Sequence, residues 1–125
     1  MLKRTTALIV SATLALCLAS TAFAASGVWV RVIIVKTDNV SAYVHELEAG
    51  RTMMKRLGLD VPLRVFRATF AGPNTGSITV TQEYPSLAAL SDAQTKTAAD
   101  PEFSAWLKKL DSIRTVLSDS LYREL

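Results

Sequence analysis

Residues 69–86, TFAGPNTGSITVTQEYPS, hold the punctuation that decides the fold. At their centre stands Gly72-Pro73-Asn74-Thr75-Gly76. A phosphate-cradling loop would join a strand to a helix and carry a lysine directly after its last glycine. Here Ser77 follows Gly76, and the chain runs on as Ile78-Thr79-Val80-Thr81-Gln82-Glu83. Glycine, proline and asparagine are the residues that let a chain reverse tightly. The segment therefore reads as a turn between two strands. On the second strand Ile78, Val80, Gln82 and Tyr84 share one side, and Thr79, Thr81 and Glu83 share the other.

Working outward, LRVFRATFA before the turn is the partner strand. Phe66, Ala68 and Phe70 lie on one side of it, and Leu63, Val65, Arg67 and Thr69 on the other. Upstream, DNVSAYVHELEAGRTMMKRLG is a helix, with Val40, Tyr43, Val44, Leu47, Met54 and Leu57 at three- and four-residue steps. Asp38 or Asn39 caps its start, Gly58 ends it in a left-handed conformation, and Lys55 and Arg56 complement the negative end of its dipole. Gly50 inside it costs about 1 kcal/mol against alanine, and its bare backbone suits close packing on the sheet. Further upstream, GVWVRVIIVKT is a β-branched strand that is apolar on both sides. Downstream, Ser86 caps a helix that begins LAALSDAQ. This helix breaks near Ala99 and restarts at Asp100-Pro101-Glu102, with the stripe Phe103, Trp106, Leu107, Leu110 and Ile113. TVLSDSLYREL closes the chain as a last strand. The order strand, helix, strand, strand, helix, strand predicts an α+β, ferredoxin-like βαββαβ sandwich.

The N-terminus predicts export. Lys3 and Arg4 precede an apolar run of about a dozen residues, short of the ~20 that span a bilayer. Ala22-Phe23-Ala24 follows, so residues 1–24 read as a secretory signal peptide cut after Ala24, and residues 25–125 as one domain. A membrane anchor is disfavoured by the length of the run, and lipidation of Cys17 by the bulky Leu16 before it. Cleavage leaves 12 of the 14 basic residues against 11 acidic ones, so no basic patch argues for nucleic acid. It also removes Cys17, the only cysteine, and with it any disulfide. The expected location is the periplasm where the host has an outer membrane, and the medium otherwise, with no stable membrane insertion after cleavage.

The hairpin FAGPNTGSITVTQEY, the helix entry YPSLAAL and the later DPEFSAWLKKL together resemble the dimeric α/β-barrel superfamily, which includes antibiotic-biosynthesis monooxygenase-like, EthD-like and NIPSNAP-like domains. The likeness covers most of the mature chain. It implies a homodimer in which two sheets close a shared barrel or a pair of pockets. Within the superfamily some members oxidise aromatic substrates without a cofactor and some bind or degrade haem; no catalytic motif of those branches maps residue by residue onto this chain. Independently, two helices on one sheet face would leave Trp29, Ile33, Val35, Leu63 and Val65 exposed on the other, and such a face calls for a partner, most simply a second copy.

Candidate chemistry is sparse. His45, the only histidine, lies about 200° from Leu47 at ~100° per residue, so it projects to solvent. No Cys/His/Asp/Glu group has metal-ligand spacing, no serine has a visible histidine partner, and no cofactor is predicted. If the valine side of the first strand faces the helices, the barrel interior receives Trp29, Arg31, Arg67, Thr79, Thr81 and Glu83. That set suits a small organic ligand with an apolar body and a polar or anionic group. The competing reading makes Arg31, Arg67 and Glu83 an ion-pair network that closes the dimer, since buried charges need partners first. The sequence thus points to an exported homodimeric small-molecule-binding or assembly module. The alternative, implied by the resemblance, is a cofactor-free or haem-using monooxygenase-like enzyme.

Overall fold

The hairpin turn at Gly72–Asn74 joins the inner and edge strands of a four-stranded antiparallel sheet. The structure, a computed structural model, describes residues 27–125; residues 1–24, expected from the sequence to be a signal peptide, lie outside the described residues. In chain order the elements are β1 (Trp29–Lys36), α1 (Val40–Arg56), β2 (Leu63–Arg67), β3 (Ile78–Tyr84), α2 (Leu87–Ala99), α3 (Pro101–Ser112) and β4 (Thr115–Arg123). The sheet order is β2-β3-β1-β4, with each neighbouring pair antiparallel. This is the ferredoxin-like arrangement, with the second helix divided into α2 and α3.

The helix ends follow local chemistry. Asn39 Oδ1 accepts the Ala42 N–H at 3.0 Å, Ser86 Oγ accepts from Ala89 at 3.1 Å, and Asp100 Oδ2 accepts from Phe103 at 2.9 Å. After α1, Gly58 takes φ +73°. Its N–H donates to Lys55 O, and Leu59 N–H donates to Met54 O, which closes the last turn as a Schellman motif. Asp100 ends α2 and caps α3 at once. Pro101 fits the first turn of α3, where no amide donor is missed.

All three helices cover one sheet face, but the side of β1 that they cover is the reverse of the sequence expectation. Direct cross-strand partners project to the same face, and Trp29, Arg31, Ile33 and Val35 stand opposite Tyr84, Gln82, Val80 and Ile78. Val35, Ile78 and Val80 pack with Tyr43 and Leu47 of α1 and Leu110 of α3 in the main core. A second cluster joins Tyr84 to Met54, Leu59, Leu90 and Ala93, with Trp29 and Phe103 against it. β2 is reversed too: Leu63 and Val65 pack on the main core, while Phe66 is half exposed on the far face. Phe70 lies beyond the end of β2 in the hairpin loop and is fully exposed rather than packed on the helices. The physical reason is that the two sides of each strand are alike in character: β1 is largely apolar on both, and each side of β2 carries one arginine beside its apolar residues, so neither side is ruled out against the helices. β3, whose sides differ in polarity, is placed as the sequence predicts, and pairing with it sets the other two.

The uncovered face therefore carries Val30, Val32, Ile34, Phe66 and Tyr122, with Thr79, Thr81, Ser118 and Ser120 among them. Glu83 and Arg64 sit at its β2–β3 side, 3.6 Å apart. His45 is exposed on α1. Among the described residues no helix is long and apolar enough to cross a membrane.

Candidate functional site

The space between sheet and helices is not completely filled. A cavity of about 180 Å³ lies there, bounded by helix-side residues of all four strands and by the inner faces of α1, α2 and α3. Its apolar wall is made by Ile33, Leu63, Met54, Phe103, Trp106 and Leu110. Its polar end holds Arg31, Gln82, Tyr84, Arg114 and Asp119.

The wall is built around Trp106. The ring lies against α1 where Gly50 has no side chain; a Cβ there would come within 2.5 Å of Trp106 Cζ2. Gly50 thus permits close approach of α3 rather than of the sheet. The indole Nε1–H donates to the Glu46 carbonyl at 2.9 Å, and the Phe103 ring sits 5.1 Å away, tilted by 54°. These contacts fix an aromatic surface facing the cavity.

The polar end is a hydrogen-bonded cluster. Arg31 Nε and Nη2 donate to Asp119 Oδ1 and Oδ2 at 2.9 and 2.6 Å, a two-pronged pair between adjacent strands. Asp119 is opposite Ile33 on β4 and diagonal to Arg31. A bulge re-phases β4 so that Ser118 faces Ile34 while Val116 faces Val35. Val116 and Asp119 consequently both line the cavity. The bond from Arg31 holds the Asp119 carboxyl below the usual carboxylate range, with Arg114 adding to the effect, and Asp119 in turn raises Arg31. Tyr84 donates its hydroxyl hydrogen to Gln82 Oε1 at 3.1 Å, and burial pushes its phenol up, against a smaller opposing pull from Arg31. Tyr84 is accordingly a neutral donor. Arg114 is held by Asp111, with Nε and Nη2 on Oδ1 at 3.0 and 2.9 Å, and it reaches the Tyr43 hydroxyl at 3.4 Å.

The six residues named from sequence do not share one surface. Trp29, Arg31 and Arg67 fall on the helix-facing side of their strands, and only Arg31 lines the cavity. Trp29 instead packs beside the second core cluster under the Arg123 guanidinium, 5.6 Å from the ring centre. Arg67 is exposed at the end of β2. Thr79, Thr81 and Glu83 lie on the uncovered face as predicted, separated from Arg31 by the sheet itself. Glu83 meets Arg64, not Arg31 or Arg67. Asp119, Tyr84 and Arg114 escaped the sequence reading. A legible signal existed for one lining residue: Gln82, a polar group on the apolar side of β3.

A NIPSNAP family protein from Agrobacterium tumefaciens aligns over 78% of this chain and 91% of its own, at 15% identity and a TM-score of 0.59. The chain shares the α+β, ferredoxin-like subunit fold of that protein. A second NIPSNAP family protein of unknown function from the same organism aligns over 79% of this chain and 87% of its own, at 16% identity and a TM-score of 0.59. SnoaB, a cofactor-independent oxygenase from Streptomyces nogalater, aligns over 77% of this chain and 91% of its own, at 13% identity and a TM-score of 0.57. At such identities the likeness is one of fold. No family model and no curated protein matches the sequence.

Proposed function

We propose that this protein is an exported homodimeric module that binds a small organic molecule in each subunit, between the sheet and the helices. The observation that carries the reading is the cavity, with its aromatic and aliphatic wall and a polar cluster gathered at one end. Sites for small molecules have this composition, an apolar body with few polar groups that orient the ligand. For scale, a cavity of roughly 150 Å³ lined by apolar side chains accommodates benzene. A one-ring compound matches the volume here. Export is supported by the pattern of residues 3–24, and pairing by the apolar residues on the uncovered sheet face.

Native mass spectrometry of the protein purified from an extracytoplasmic fraction tests these statements together. The expected species is a dimer of chains beginning at Ala25, carrying a small-molecule mass that disappears when Thr97→Trp fills the cavity. Chains retaining residue 1, monomers only, or a retained mass indifferent to Thr97→Trp would each overturn the corresponding statement.

A second reading, a cofactor-free oxygenase, is favoured by the fold shared with SnoaB. Against it stands the state of the lining carboxylate. Among the described residues Asp119 is the only Asp or Glu lining the cavity, and its bond to Arg31 makes it a poor base. Haem does not fit the cavity: about 180 Å³ is far smaller than the macrocycle needs, and His45 is exposed on α1, away from the lining. Oxygen uptake with single-ring phenols, abolished by Trp106→Ala, would establish the enzyme reading over simple binding.

A further inference from the structure

We infer that Asp119 sets the charge preference of this cavity: by occupying the Arg31 guanidinium, it reserves the site for neutral ring compounds bearing a hydrogen-bond acceptor, and turns organic anions away. The inference rests on the binding function proposed above and narrows its ligand class.

An arginine in a pocket ordinarily suggests a carboxylate or phosphate ligand. Here the edge that would grip such a group is taken. Arg31 presents Nε and Nη2 to the two oxygens of Asp119. An incoming carboxylate would have to displace Asp119 or lie beside it, like charge against like charge. Arg114 offers no alternative, because its Nε and Nη2 are committed to Asp111. The charged groups lining the cavity are Arg31, Arg114 and Asp119, and Asp111 balances Arg114 from outside.

A neutral acceptor meets no such competition. A guanidinium has five N–H donors, and Asp119 uses two of those on Arg31. The remaining N–H groups can serve a phenol or carbonyl oxygen while the ion pair stays intact. Tyr84 and Gln82 complete a polar end in which every formal charge already has a partner. The ring of the ligand would then lie along Trp106 and Phe103.

The test uses two probes matched in shape, 4-methylphenol and 4-methylbenzoate, at about pH 7, where the phenol is neutral and the acid ionised. Binding is followed by NMR titration of the Trp106 indole N–H. The wild-type protein is expected to bind the phenol at least about tenfold more tightly, a difference of about 1.4 kcal/mol. Asp119→Asn keeps the shape, releases the guanidinium and is expected to bring 4-methylbenzoate to equal or tighter binding. Asp119→Ser should do the same, and circular dichroism reports whether either variant remains folded. Should both variants unfold, the wild-type ratio decides alone. Equal binding of the two probes by the wild type, or tighter binding of the benzoate, overturns the inference and leaves the binding function standing. Saturating amounts of both probes with no shift at Trp106 overturn both.

Discussion

Replacing Gly50 by alanine separates two opposing effects that this structure allows to be weighed. In the interior of α1 the change should help, because alanine is favoured over glycine by about 0.5–1 kcal/mol. The new Cβ, however, would lie 2.5 and 2.6 Å from Trp106 Cζ2 and Cη2. Carbon atoms rest at about 3.5–4.0 Å, so the overlap is on the order of 1 Å. The ring cannot yield freely, since Nε1 is bonded to Glu46 O and Phe103 packs at its side. Overpacking of this kind costs about 1–3 kcal/mol. Swinging the ring out instead gives up the indole hydrogen bond, worth about 0.5–1.5 kcal/mol, together with its apolar contacts. The steric cost wins, and a net loss of about 1–2 kcal/mol is expected. For a domain of this size that lowers Tm by roughly 4–16 °C. Thermal and urea unfolding of Gly50→Ala measure it, and Gly50→Ala in a Trp106→Leu background isolates the cause: there the alanine should become stabilising. A Gly50→Ala protein that melts at or above the parent refutes the reasoning.

Three further outcomes follow from the same geometry. Val32→Asp places a charge amid the apolar residues of the uncovered sheet face, so light scattering should find monomers in place of the dimer proposed for the parent; a dimer unaffected by the change would locate the contact elsewhere. The Arg31–Asp119 pair depresses the carboxyl, so its stabilisation is fully present above the unfolded value of about 3.9 and fades as pH falls through the lower folded value. Because the pair is partly exposed, the effect is at most about 1 kcal/mol, and Asp119→Asn should flatten the corresponding part of an acid-unfolding curve. Ser86→Ala removes the acceptor for Ala89 N–H at the start of α2 and should cost about 1 kcal/mol in urea unfolding, with Ser86→Asp retaining most of the stability.

Much of the fold was legible because its signals are local. Caps at Asn39, Ser86 and Asp100, the left-handed Gly58, and the glycine-proline turn at residues 72–76 each act within a few positions of the chain. β3 announced its inner side because Ile78 and Val80 differ sharply from Thr79 and Thr81. β1 could not: Val30, Val32 and Ile34 are as apolar as Trp29, Ile33 and Val35, and a period of two cannot rank two apolar sides. Only pairing with β3 placed Ile33 beside Val80 and Val35 beside Ile78, which turned Arg31 toward the helices and Thr79, Thr81 and Glu83 away from it. The candidate site depends on contacts still more distant in sequence. Arg31 and Asp119 are 88 residues apart, and Trp106 reaches Glu46 across 60. The sequence alone determined which segments become strands and helices and where the helices are capped, but it ran β2 past its end at Arg67. Tertiary structure decided which faces are covered and which charges meet, because those depend on strand register and helix contact, which no local pattern encodes.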